Sequence, residues 1–236
     1  MNKEEFLQGA RDGLPICLGY FSVSMAFGLT AVLSGLPLWS AILISLTNLT
    51  SAGQVAGVNL LLAHGTMMEL AMTTLIINMR YFLMSLSVSQ KVESSMSMKK
   101  RLAVAFGITD EIFAVSMQSP KALTASYMAG LILMPMLGWT GGTSVGAVAT
   151  SFMPEMLSQA MGIAMFGMFI AIIIPPARAQ KSVMFTVVLA VAASVGFTCL
   201  PLLKQLSSGW AIILITIFVS AVAAWRFPID VEEDKA

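Results

Sequence analysis

An all-α, polytopic membrane protein is the fold class this sequence predicts, and three observations predict it. Hydrophobic residues make up 57% of the 236 and charged residues 11%, with a mean hydropathy of +0.86. A soluble domain carries roughly 25% charged residues, because its surface has to be wetted. The charges present are also bunched. None falls between Gly13 and Met68, and Ala122–Pro154, Ser182–Leu203 and Gln205–Trp225 are equally free of them. Finally, these runs recur. One apolar stretch of about 18 residues could be a buried core helix, but several in one chain read as membrane spans.

Taken in order, the apolar segments fall at about 14–34, 36–63, 67–90, 103–119, 123–139, 141–153, 157–177, 182–203 and 208–226. Turn residues punctuate them: Gly35-Leu-Pro37, Ser119-Pro120, Met153-Pro154 and Pro175-Pro176. The longest polar link, Gln90–Arg101, leaves no room for a soluble domain. The acidic tail Asp230–Asp234 reads as a solvated end. Both signs of charge in MNKEEFLQGARDG, followed by a long apolar run, do not fit a cleaved signal peptide.

Bulk properties exclude several function classes. A net charge of +1 offers no footprint for nucleic acid. Cys17 and Cys199 lie in apolar segments, where cysteine acts as a small hydrophobe, so neither a disulfide nor a metal site is expected. The sequon at Asn48-Leu-Thr50 sits in a charge-free run and is not expected to carry sugar. The 19 methionines read as packing surface.

A weak internal repeat at an offset of 89 residues lays 14–34 over 103–123, 36–63 over 125–152 and 67–90 over 156–179. It sets the GxxxG of Gly53–Gly57 on that of Gly142–Gly146. GxxxG is common in membrane helices because small residues permit close packing. Paired Gly-interrupted segments in two halves also mark transporter binding sites. The chain is accordingly read as a single membrane-embedded domain, 1–236, with halves at 14–90 and 103–179 and two C-terminal helices over 182–226.

Charge counting suggests a topology. If 36–63 and 125–152 are re-entrant hairpins from the external face, the N-terminus, Lys91, Lys99, Lys100, Arg101, Arg178, Lys181 and the tail all lie inside. Lys121 and Lys204 then remain outside. That arrangement has six spans and two hairpins; seven full spans compete with it. Thr47–Gln54, at the centre of the first hairpin, is polar and Gly-containing, as non-helical backbone lining a cavity should be.

Chemistry concentrates at mid-segment. Asn78-Met79-Arg80 centres one apolar segment and Thr109-Asp110-Glu111 another. An ionised side chain at the bilayer centre costs at least about 2.5–3.5 kcal/mol. Pairing Arg80 with Asp110 or Glu111 offsets that cost and leaves one carboxylate over. Low dielectric penalises its ionised form, which suits it to proton exchange and hence to ion coupling. Glu69 and Glu155 begin the third segment of each half and read as interfacial residues at helix N-termini, with His64 beside the first. Asn48, Thr50, Ser51, Gln54 and Asn78 are the candidates for touching substrate, a carboxylate being held by N–H groups at a half-helix start. The small-residue lining around Gly53 and Gly57 would take an aliphatic side chain.

The strings Gly9-Ala-Arg-Asp-Gly-Leu-Pro-Ile16, Asn78-Met-Arg-Tyr-Phe-Leu-Met-Ser85 and Gly107-Ile-Thr-Asp-Glu-Ile-Phe-Ala114 resemble the signatures of the AzlC family. They come in order and the resemblance covers nearly the whole chain, with the GITDE string its most specific part. Thr50-Ser-Ala-Gly-Gln54 departs from the family's more usual Phe-Ala-Gly-Ala form, and Tyr81 stands where a His is common. The resemblance implies the large subunit of a bacterial branched-chain amino-acid exporter. Its cargo would be valine, leucine, isoleucine and methionine, its partner a small AzlD-type membrane subunit, and its place the bacterial inner membrane. No cofactor is implied. The chain also lacks a GxxxxGK[ST] loop, so ATP is not its own energy source. Uptake, or a different small solute, is compatible with the same residues. A lone histidine argues against a membrane-embedded serine or metal enzyme.

Overall fold

The computed structural model describes residues 2–152, 167, 170, 173–199 and 206–228. These residues are helical apart from turns, and five helices are long and apolar enough to cross a membrane. They are α1 (Lys3–Leu33), α4 (Met67–Lys91), α7 (Ala125–Ala149), α8 (Lys181–Cys199) and α9 (Ser208–Arg226). Between them lie two short pairs: α2 (Leu38–Thr47) with α3 (Ser51–Leu62), and α5 (Met98–Phe106) with α6 (Asp110–Gln118).

Packing centres on α1 and α7, which run parallel in close contact. Matched neighbours climb both helices together: Gly9 beside Tyr127, Gly13 beside Leu131, Cys17 beside Gly138, Phe21 beside Gly142 and Met25 beside Gly146. A Cβ added at Gly138, Gly142 or Gly146 would collide with the α1 backbone. This is the small-residue approach by which membrane helices gain van der Waals contact where lipid offers no hydrophobic driving force. Their lower ends are pinned by Asn2 N–H donating to Ser126 Oγ (2.9 Å), Thr124 Oγ1 to Glu5 (2.8 Å) and Tyr127 Oη to Asp12 (2.9 Å). α1 begins well before residue 14 because those polar contacts extend it; at 31 residues it is roughly 46 Å long, more than the hydrocarbon core requires.

The ends of the other elements give the topology. Val92 bridges Leu123, and Lys91 Nζ donates to the carbonyl of Met117 at 2.6 Å, so α4 ends where α7 begins, at the N-terminal end of the bundle. α4 therefore descends beside the ascending α1. The α2–α3 pair leaves and rejoins at the far end, and is a hairpin dipping to a tip at Asn48–Thr50. The α5–α6 pair leaves and rejoins at the N-terminal end and dips to a tip at Gly107–Thr109. α9 starts at the far end, where Ser207 Oγ donates to Glu69, and its last turn lies beside the first turn of α8.

Three expectations need correcting. Residues 125–149 are one unbroken helix, not a hairpin, because its glycines keep helical geometry while packing on α1. The broken element in the second half is instead 98–118, where Gly107 ends α5 and Thr109 caps α6. Lys121 consequently lies beside Lys91 at the N-terminal end, not on the opposite side. Lys3, Lys91, Lys99, Lys100, Arg101, Lys121, Lys181 and Arg226 all gather there, and among the described residues no Lys or Arg sits at the far end. The positive-inside rule makes the N-terminal end cytoplasmic. Glu155, Lys204, the tail Asp230–Asp234 and most of 157–177 lie outside the described residues.

Candidate functional site

Two hairpin tips meet the middles of α1, α4 and α7, and the polar residues of the protein's interior collect there. The cytoplasmic tip is organised by Thr109, whose side chain caps α6 by accepting from Ile112 N–H at 3.4 Å. That cap places Asp110 and Glu111 in the first helical turn, where the helix dipole favours negative charge. Asp110 Oδ2 lies 2.7 Å from Nη1 of Arg80, midway along α4. Arg80 also donates to Tyr81 Oη at 3.2 Å, with its guanidinium 4.9 Å from the Tyr81 ring centre. Glu111 takes a different partner: Tyr20 of α1 donates to its carboxylate and is also 2.8 Å from Thr109 Oγ1. The Tyr20 ring packs edge-on against Trp139 of α7, centres 5.1 Å apart. Of the two carboxylates, then, Asp110 is paired with the guanidinium and Glu111 is not.

The Arg80 and Asp110 side chains are 46% and 39% exposed on this chain. At bilayer depth such a pair has to meet protein or water rather than lipid tails.

The external tip has no charged group. Thr50 is buried and caps α3, accepting from Gly53 N–H at 3.2 Å, while its own N–H donates to Asn48 Oδ1 at 3.3 Å. Ser51 follows as the first residue of α3, half-buried. Gln54, 1% exposed, donates through Nε2 to Ser45 Oγ at 2.8 Å, and Ser45 is 2.7 Å from Thr143 Oγ1 of α7. That buried relay ties the hairpin to the α1–α7 pair. Gln54 Oε1 and Asn78 Oδ1 are buried without a partner, as are Trp139 Nε1 and Thr140 Oγ1. Beside the tip, Ile44, Asn48, Gly53, Gln54, Gly57, Val58, Leu61 and Leu70 help to line a cavity of about 210 Å³. Its walls are largely aliphatic; Thr47, Asn48 and Gln54 bring polar groups at the hairpin break and Thr74 brings one from α4.

The predicted residues therefore separate into two groups. Asn48, Thr50, Ser51 and Gln54 belong to the external tip, with Asn78 reaching it from α4. Arg80, Asp110 and Glu111 belong to the cytoplasmic tip. Sequence reasoning missed Tyr20, Ser45, Trp139 and Thr143. Tyr20 stands in an apolar run with no periodic signal, and its role depends on a contact 91 residues away. Ser45 and Thr143 look like ordinary small polar residues in membrane helices. The expected interfacial role of Glu69 takes the form of a capping box with Thr66 at the start of α4. His64 occupies the preceding turn, with φ of 55°.

A family model described as AzlC protein matches residues 15–153, which include both hairpins and the whole site. The chain belongs to the AzlC family. Among its relatives, the inner membrane protein YgaZ of Escherichia coli is 26% identical over 200 residues, 82% of this chain and 81% of the relative. An uncharacterized membrane protein of Archaeoglobus fulgidus is 27% identical over 215 residues, 87% of this chain and 94% of its own length. The branched-chain amino acid transport protein AzlC of Bacillus subtilis is 23% identical over 171 residues, covering 71% and 66%. No solved structure matches this AzlC-family chain significantly. With five long apolar helices and relatives described as membrane proteins, it is a multi-pass protein of the cell's inner membrane.

Proposed function

We propose that this chain is the large subunit of a secondary exporter of branched-chain amino acids rather than an enzyme. The observation that carries the reading is the external hairpin tip. It sets the α2 C-terminus against an α3 N-terminus whose Thr50 cap meets Gly53 N–H and leaves the N–H groups of Ser51 and Ala52 to face the break, next to a cavity walled by Ile44, Val58, Leu61 and Leu70. Helix N-termini hold carboxylates through their free N–H groups, and an aliphatic wall of that size receives a branched side chain. Discontinuous helices meeting at the bilayer midplane are how many transporters hold substrate and coupling ions. The Bacillus subtilis relative's description as a branched-chain amino acid transport protein supports the same substrate class.

Energy coupling is assigned to the cytoplasmic tip. Arg80 pairs with Asp110, which leaves Glu111, held by Tyr20, as the carboxylate without a guanidinium partner and the one assigned to the coupling ion. The exposed flank of the Arg80–Asp110 pair needs cover at bilayer depth, and we assign that cover to a small AzlD-type membrane subunit. The deciding experiment is efflux from cells loaded with dipeptides, following all amino acids in the medium, with and without the small subunit. Selective release of valine, leucine, isoleucine or methionine with both subunits is expected. Absence of selective release from well-inserted protein would redirect the reading to uptake or to another solute.

A further inference from the structure

The external tip contains an element that carboxylate binding does not use. Gln54 spends its amide N–H on Ser45, which leaves Oε1 facing inward with no donor. Asn78 Oδ1 is likewise buried and unpartnered, and it approaches the same first turn of α3 from α4. A Cβ on Gly53 would come within 2.8 Å of Thr50 Cγ2 and 3.4 Å of Asn78 Oδ1, so the missing side chain keeps the approach open. Leaving a buried acceptor unmet forfeits the hydration it had in water without replacing it. Two such acceptors flanking Gly53, one of them on the cavity-lining Gln54, suit a ligand that donates hydrogen bonds to oxygen or is coordinated by it. Arg80, two residues from Asn78, directs its contacts to Asp110 at 2.7 Å and Tyr81 at 3.2 Å and donates to neither acceptor. The closing carbonyls of α2 face the same break with the negative end of their helix dipole.

We propose that Gln54 Oε1, Asn78 Oδ1 and the last carbonyls of α2 form a site for a monovalent cation, filled by the α-ammonium of the substrate or by a free alkali ion. Neutral amides suit a charge that comes and goes. They offer hard oxygen ligands but bury no permanent anion when the site empties. With α3's N–H groups alongside, the tip presents opposite polarity to the two ends of a zwitterion. The ammonium alternative rests on the amino-acid reading above; the alkali-ion alternative does not.

The test uses the full-length protein in nanodiscs in choline chloride, following thermal unfolding with three probes. These are L-leucine, 4-methyl-2-oxopentanoate and sodium chloride. The oxo acid keeps leucine's side chain and carboxylate but lacks the amine. Stabilisation by leucine and not by the oxo acid identifies the ammonium; stabilisation by sodium alone identifies the alkali ion. In either case Gln54→Leu and Asn78→Leu should weaken the apparent affinity about tenfold or more, as expected for losing a hydrogen bond to a charged group. Asn78→Asp, which keeps an acceptor and adds charge, should retain or tighten it. Equal stabilisation by leucine and the oxo acid with no sodium effect overturns the proposal, as does stabilisation by neither leucine nor sodium. Efflux of leucine without amine discrimination would remove the cation site and leave the exporter. Sodium binding without branched-chain efflux would do the reverse.

Discussion

The two hairpins have similar backbones and opposite chemistry. Each is a pair of short helices broken near mid-membrane, with a threonine capping the second: Thr50 on α3 and Thr109 on α6. At the external tip the residues after the cap are Ser51, Ala52, Gly53 and Gln54, all uncharged, and the polar atoms there include two orphaned amide oxygens. At the cytoplasmic tip they are Asp110 and Glu111, both met by partners on other helices. One tip has unsatisfied polar groups beside a cavity, and the other has charges each met by a partner on another helix. An unsatisfied buried group is ready for a ligand, while a paired charge is ready to change partner. The division assigns solute recognition to α2–α3 and ion coupling to α5–α6.

Breaking the charge network should have the largest effect. Arg80→Ala leaves Asp110 without its counter-charge at bilayer depth, and removing one partner of a buried pair typically costs about 3–5 kcal/mol; the exposure of this pair places it below that range. Transport is expected to be abolished while the protein still inserts, measured as leucine efflux against membrane-fraction abundance. Full efflux from a normally abundant variant would take the pair out of the mechanism.

A smaller effect should separate the two carboxylates. Glu111→Gln keeps a hydrogen-bonding group opposite Tyr20 but cannot exchange a proton. Efflux measured across a range of external and internal pH should lose its pH dependence in this variant. Asp110→Asn, by contrast, should impair transport mainly through the freed Arg80. Neither change should alter the order of preference among valine, leucine and isoleucine, since neither carboxylate lines the external cavity. A shifted order would show that the two tips are one site rather than two.

The legibility of these regions in the sequence differs for physical reasons. Membrane class, the external hairpin and the candidate charges were readable, because burial in lipid makes each charge and each polar break conspicuous against an apolar background. The 125–152 segment reads as a hairpin in sequence and folds as one helix because a GxxxG string has one appearance and two uses. Gly53 and Gly57 face Asn78 and Leu70 beside a cavity, whereas Gly142 and Gly146 press against the backbone of Phe21 and Met25. Nothing local distinguishes them. What decides is the partner helix, distant in sequence, and the same dependence makes the run 103–119 read as a crossing segment. Its turn at Gly107–Thr109 becomes visible as a break only once Tyr20 and Arg80 are seen to meet it.

Tyr20 offers the finest discrimination between the tips. Its hydroxyl joins α1 to both Thr109 and Glu111, and its ring rests on Trp139, so it links the cytoplasmic tip to the rigid α1–α7 pair. Tyr20→Phe removes the hydroxyl and keeps the ring packing. A hydrogen bond to a charged group contributes about 1.5–3 kcal/mol, but water reaching the exposed Glu111 should replace part of it. The expected outcome is a several-fold slowing of efflux together with a displaced pH profile, and an unchanged concentration for half-maximal transport. If Tyr20 were a packing residue only, the phenylalanine variant would leave the pH profile where it was. If it belonged to the solute site, the half-maximal concentration would move instead. The pattern of those two readouts tells coupling from recognition at a single atom.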